Sequence, residues 1–223
     1  MKFIFFKISL LLIPIGLIGQ NTHLNYNKFK QLKEEVATPN SYRTASGAPG
    51  HEYYQNEANY LMNLTLNDQE QKITGEETIT YINNSPDQLE YLWLQLDQNK
   101  RAQNSESFSI KTGGIKSMNT RSIGQLNPDF EGGFNITEVK TKSKQIDYVI
   151  NNTMMRINLD KPLKAGDQFE FSIKWWYNVN NRMEIGGRSG YEYFKKEDNY
   201  LYTIAQFFPR MCVYNDVEGW QNK

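Results

Sequence analysis

The feature that most constrains this chain is a hydrophobic period of two, recurring in short runs that each close on turn-forming residues. Phe169, Phe171, Ile173 and Trp175 alternate with polar residues ahead of Tyr177, so one face of the run is apolar and the other polar, as in a half-buried strand. Tyr60, Met62, Leu64 and Leu66 alternate with Leu61, Asn63 and Thr65 before a turn at Asn67-Asp68. Ile73 to Ile82 is rich in Thr, Ile and Tyr and sets Ile73, Ile79 and Tyr81 on one face. Asn83-Asn84-Ser85-Pro86-Asp87 is a turn signal, and Leu89 to Leu96 follows as a third strand that makes a meander with the first two. Further strands are predicted over Phe134 to Val139, Ile146 to Ile150 and Met154 to Leu159, with Pro162 to Asp167 turning the chain into the Phe169 run. The polar stretch from Asp97 to Phe130 reads as a long loop. Short strands parted by Gly, Pro, Asn and Asp turns specify an all-β chain, an antiparallel β-sandwich.

Composition narrows the function. The 25 Lys+Arg balance 25 Asp+Glu, for a net charge of zero, which argues against nucleic acid or an anionic membrane as a partner held by bulk charge. The single cysteine, Cys212, rules out an internal disulfide and a cysteine zinc cluster, and it fits a buried small hydrophobe. The only histidines are His23 and His51, whereas a catalytic zinc commonly takes three His or carboxylate ligands. His51-Glu52-Tyr53-Tyr54-Gln55 begins like the zinc motif HExxH but ends on Gln, a poor ligand, and Pro49-Gly50 opens it as a turn. The paired carboxylates Glu34-Glu35 and Glu76-Glu77 read as solvated faces, and there is no GxSxG and no P-loop. Trp175, Trp176 and Tyr177 are consecutive, so on a strand Trp176 faces away from the other two. One of these faces is core, and the other is an interface or a sugar platform.

The N-terminus has the form of a secretory signal peptide over residues 1–19. Lys2 and Lys7 precede an apolar run from Ile8 that closes on the small residue Gly19. The run falls short of the ~20 residues that span a bilayer, and no Cys follows it to carry a lipid. These features predict a secreted or periplasmic protein with no membrane span after signal removal. Residues 20–56 form a polar leader, with a short helix over Lys28 to Val36, and residues 57–223 form the sandwich.

Several stretches resemble the aminopeptidase-N-like zinc metallo-aminopeptidases of the gluzincin family, in a secreted bacterial branch. They are Gly47-Ala48-Pro49-Gly50 with Tyr53-Tyr54-Gln55 and Tyr60, Ile79 to Pro86 with Leu89 to Asn99, Pro162 to Asp167 with Ile173 to Tyr177, and Tyr202 to Trp220. The resemblance implies the saddle-like N-terminal β-sandwich of such an enzyme, lacking its last strands. The catalytic domain would follow in sequence, carrying HExxH, a distal Glu as third zinc ligand and a Gly-x-Met-Glu-Asn-type motif. Zinc would belong to the parent enzyme and none to this chain, which would be inactive alone. The partners implied are a peptide N-terminus as substrate and the missing catalytic domain.

Gln206, within Ala205-Gln206-Phe207-Phe208-Pro209-Arg210, matches the family's Gln that reaches from this domain toward the substrate's N-terminal end. Ala205 stands where Thr is common, and Phe208 stands where several relatives place an acidic or amide residue that binds the free amine. Reading the residues without the family leaves alternatives. Gln206 could instead be a strand residue bonded within the sandwich. The chain could be a free-standing secreted module that binds glycan or protein through Trp175 to Tyr177, or an active enzyme with ligands supplied by another chain.

Overall fold

The structure is a computed structural model, and the residues it describes are 39–106, 129–185 and 187–221. Residues 1–19 and the Lys28 to Val36 helix lie outside them. The period-two runs are strands: β1 (Glu57–Asn67), β2 (Lys72–Ile82), β3 (Leu89–Gln95), β4 (Asn135–Lys140), β5 (Tyr148–Asn151), β6 (Met154–Leu163) and β7 (Gln168–Asn178). A 3-10 helix over Asp97–Arg101 follows β3, and a one-turn helix α1 (Arg182–Ile185) follows β7. Hairpin strands β8 (Gly190–Phe194) and β9 (Asn199–Thr203) come next, then the short β10 (Arg210–Met211), β11 (Tyr214–Asn215) and β12 (Gly219–Trp220).

Two four-stranded antiparallel sheets, ordered β1-β2-β7-β4 and β10-β3-β6-β5, share one apolar core. The first sheet contributes Ile73, Ile79, Tyr81, Phe171, Ile173 and Trp175, and the second contributes Leu92, Leu94, Met155 and Ile157, all buried. Alternation decides which side chains face inward, because each strand presents every second residue to the facing sheet. Gly75 faces Trp175 across the β2–β7 register, and a Cβ on it would lie 2.3 Å from the indole. Only glycine leaves room for that ring.

The meander expected from β1, β2 and β3 does not form. β1 and β2 are a hairpin, but the other edge of β2 takes β7, and β3 crosses to the second sheet beside β6. Two buried polar side chains, Asn83 and Ser85, anchor the crossing turn through hydrogen bonds, which lets the chain change sheets there. Asn83 Nδ2 donates to the carbonyls of Asp87 at 2.8 Å and Leu163 at 3.1 Å. Ser85 Oγ donates to Asn83 Oδ1 at 2.6 Å, and the backbone of Asn83 bonds the 166–167 turn in both directions.

Glu77 also departs from expectation. It is not on a solvated face but points into the core with no exposure, while its neighbour Glu76 is the exposed member of the pair. The period of two required this, since Glu77 shares its face with Ile73, Ile79 and Tyr81.

Residues 39–56 are tied to the sandwich. Arg43 holds Asp216 through two bonds, Nε to Oδ2 at 2.7 Å and Nη2 to Oδ1 at 2.8 Å, a bidentate geometry in which both charge and shape are matched. Asn56 donates to the Tyr81 hydroxyl at 2.9 Å and accepts from the Asn84 amide at 2.8 Å.

Candidate functional site

Gln206 lies in the segment that links β9 to β10, not in a strand. The ends of that segment are fixed against β1. Tyr202, on β9, donates its hydroxyl to Asp68 Oδ1 at 2.7 Å, at the β1–β2 turn. Phe208 packs edge-on against Tyr60 at 5.3 Å, in the first half of β1. Beyond it, Arg210 bonds Asp97 Oδ2 at 2.8 Å and Gln95 Oε1 at 2.7 Å, locking β10 onto β3. Asp97 raises the Arg210 pKa through that bond, so the guanidinium stays charged.

Between these anchors the backbone is held from below. The Ala205 amide donates to Ser189 Oγ at 3.1 Å, and the Ala205 carbonyl accepts from the same hydroxyl at 3.2 Å. Gln98 Nε2 donates to the Ala205 carbonyl at 3.1 Å and the Gln206 carbonyl at 3.0 Å. Gln98 is 3% exposed, and its own Oε1 accepts from Arg101 Nη1 at 2.8 Å. Gln206 itself has φ +53°, a left-handed conformation that costs a non-glycine residue about 1–3 kcal/mol and persists only where surrounding contacts impose it.

The outcome is an exposed carboxamide on an immobilised backbone, reached at 3.5 Å by Arg188 Nη2 on its Oε1. A carboxamide both donates and accepts, so it can bind an amine or a peptide group without a proton transfer of its own. Phe208, by contrast, is committed to packing against Tyr60 and Phe207. It offers no polar atom to an amine.

The other sequence candidates are placed elsewhere. The His51 to Gln55 stretch is turn and irregular chain, with His51 and Glu52 exposed, so it lacks the helical i, i+4 geometry of a zinc motif. Among the described residues, no group of three or more His, Cys, Asp or Glu side chains is placed to hold a metal ion. Trp175 and Tyr177 are core residues at 1% and 3% exposure. Only Trp176 faces outward, with Lys72 Nζ 4.1 Å from its ring centre.

Cys212 borders a cavity of about 260 Å³ walled by Tyr54, Tyr60, Tyr81, Met211 and Tyr214. Burial pushes its thiol up to about 11, so it is protonated and inert as a nucleophile at neutral pH. Sequence reasoning missed Gln98, Arg101 and Arg188. They fall in stretches without periodicity, and nothing local marks a polar residue that will support a loop more than a hundred residues away.

No family model and no curated protein matches the sequence. Solved structures similar to it include the M1 zinc metallopeptidase from Deinococcus radiodurans, 12% identical, covering 59% of this chain and 22% of that one at a TM-score of 0.36. A mutant from that organism bound to a Tyr-Ser-Ala substrate is also 12% identical, covering 60% and 23% at a TM-score of 0.36. Another mutant covers 65% and 25% at 12% identity and a TM-score of 0.38. This chain therefore spans about a quarter of the length of the structures it matches. At such identities and TM-scores the likeness carries no argument about activity.

Proposed function

We propose that this chain is the N-terminal, substrate-side domain of a secreted zinc metallo-aminopeptidase, and that Gln206 hydrogen-bonds the N-terminal end of the peptide being trimmed. The observation that carries the reading is the Gln206 segment itself. A strained residue is held by the buried Gln98 and by Ser189 so that its carboxamide alone projects outward. Strain concentrates where a fixed side-chain direction has a use. The family resemblance of the surrounding sequence supplies that use.

The described residues do not form a zinc site, so no chemical step is assigned to this chain. Its part is to bind and orient: the amide Nε2 donates to a carbonyl, and Oε1 accepts from an amine. On this reading, hydrolysis belongs to a catalytic domain that carries HExxH and a distal Glu.

The test begins with the coding sequence beyond the Lys223 codon. An open frame running into HExxH supports the proposal, and the whole product should then release N-terminal residues from peptides in a chelator-sensitive manner. In that enzyme Gln206→Ala should lower kcat/KM on the order of tenfold, the worth of one hydrogen bond made at the reacting end of the substrate. The melting temperature should stay unchanged, because the side chain is exposed. A stop codon after Lys223, or unchanged kinetics in Gln206→Ala, overturns the reading.

A further inference from the structure

Arg188, Gln206, Gln98 and Arg101 form a closed circuit of contacts. Arg188 Nη2 reaches Gln206 Oε1 at 3.5 Å, Gln98 Nε2 donates to the Gln206 carbonyl at 3.0 Å, and Arg101 Nη1 donates to Gln98 Oε1 at 2.8 Å. The circuit closes at Gly187, the residue before Arg188. A Cβ there would lie 3.1 Å from Arg101 Nη2, so the free end of the Arg101 guanidinium rests against this glycine. Gly187 has φ +98°, which lets the chain pass close to the guanidinium and direct Arg188 back toward Gln206.

The two guanidinium groups are thus both tied to the Gln206 segment, Arg188 through the carboxamide itself and Arg101 through Gln98 and the glycine that precedes Arg188. Among the described residues neither Arg101 nor Arg188 has a carboxylate within ion-pair distance, whereas Arg43, Arg182 and Arg210 each have one. Arg101 is half-buried, and burial lowers its pKa with no carboxylate to offset the loss. A partly desolvated cation without a counter-charge is costly, and the cost falls when an anion arrives. Each guanidinium spends one N–H within the circuit and retains others, in the planar fork that matches a carboxylate.

We propose that Arg101, Arg188 and the Gln206 carboxamide form a subsite for the side-chain carboxylate of an acidic residue at the peptide N-terminus. This rests on the proposed role of Gln206 and deepens it by naming the substrate class. Gln206 Oε1 takes the peptide amine, and the adjacent guanidinium groups take the Asp or Glu carboxylate. A short peptide's terminal carboxylate has the same chemistry, so the test must separate the two sources.

The experiment is calorimetric titration of the 223-residue chain with Glu-Ala-Ala-amide, Gln-Ala-Ala-amide and Ala-Ala-Ala as the free acid. Glu-Ala-Ala-amide should bind about tenfold more tightly than its Gln isostere, as expected for one charge-assisted interaction. Arg188→Gln, at an exposed position, should erase that difference, and Arg188→Lys should restore part of it. Gln206→Ala should weaken both amidated peptides. Equal binding of Glu and Gln peptides overturns the carboxylate subsite, while loss of both in Gln206→Ala would still uphold the amide's role. A preference for Ala-Ala-Ala free acid over both amides assigns the arginines to the other end of the peptide and overturns the proposal. Absence of binding by all three overturns the subsite, while the Gln206 reading stands or falls separately on the Gln206→Ala kinetics of the whole enzyme.

Discussion

Glu77 lies on β2 between Met62 of β1 and Ile173 of β7, with no exposure and no hydrogen-bond partner for either carboxylate oxygen. Burial raises its pKa to about 9 from an ordinary 4.5, so it is neutral at physiological pH. The native state then holds a proton that the unfolded chain has already lost, and stability falls as pH rises across the window from 4.5 to about 9. Above that window the dependence flattens. Glu77→Gln, which cannot ionise, should remove this slope in denaturant titrations run at several pH values. Glu77→Met, which fills similar volume and removes the unpartnered polar group, should stabilise the chain by roughly 1–3 kcal/mol at pH 8. A wild-type stability that is level between pH 5 and 9 would show the carboxyl to be satisfied.

Among the elements, β1 is the exposed edge of its sheet. It pairs with β2 along its full length, and among the described residues its other edge has no strand beside it. From Ala58 to Asn67 it contains no charged residue, no proline and no glycine. Leu61, Leu64 and Leu66 are 73%, 48% and 45% exposed. Edges are ordinarily guarded by charge, proline or bulges, and beyond Glu57 at its start this one has none of those devices, so it is a template for pairing with another strand. Sedimentation velocity on the 223-residue chain should show concentration-dependent association. Leu61→Lys, which adds a charge at an already exposed position, should shift it toward monomer. Association unaffected by that substitution would place the contact away from β1.

At the scale of the whole molecule, the two sheets are joined by polar bonding as well as by the apolar core. Asn83, buried where β2 gives way to the crossing turn, reaches Leu163 at the end of β6 and Asp87 just before β3, and its backbone bonds the turn ahead of β7. Asn83→Ala would leave those carbonyls without their donor in a buried place, and Ser85 without its acceptor. The expected cost is on the order of 2–3 kcal/mol, several degrees in melting temperature for a domain of this size. Asn83→Asp, isosteric but unable to donate, should recover little of it. A melting temperature within a degree of wild type in both variants would mean the crossing is held by packing alone.

The strands were legible in the sequence because inward and outward residues alternate locally. Phe169 to Tyr177 states its buried face without reference to any other part of the chain, and it also places Trp176 opposite Trp175. Gln206 could be picked out by its resemblance to a family motif, although its place in a loop and its strained φ could not. What alternation cannot state is which edge a strand will offer to which neighbour. The meander of β1, β2 and β3 was therefore a natural expectation and the crossing to β6 was not, since the bonding of Asn83 to Leu163 and the packing of β3 in the core both involve residues far away in sequence. The same limit hid the support for Gln206. Gln98, Arg101 and Arg188 are unremarkable in sequence, and they acquire a role only when the fold brings the 3-10 helix over Asp97–Arg101 and the Arg188 segment up to the loop that carries Gln206. Sequence alone determined the alternating strands and hence the sandwich. The pairing order, the burial of Glu77 and the setting of Gln206 depend on contacts between distant residues, and only the tertiary structure decided them.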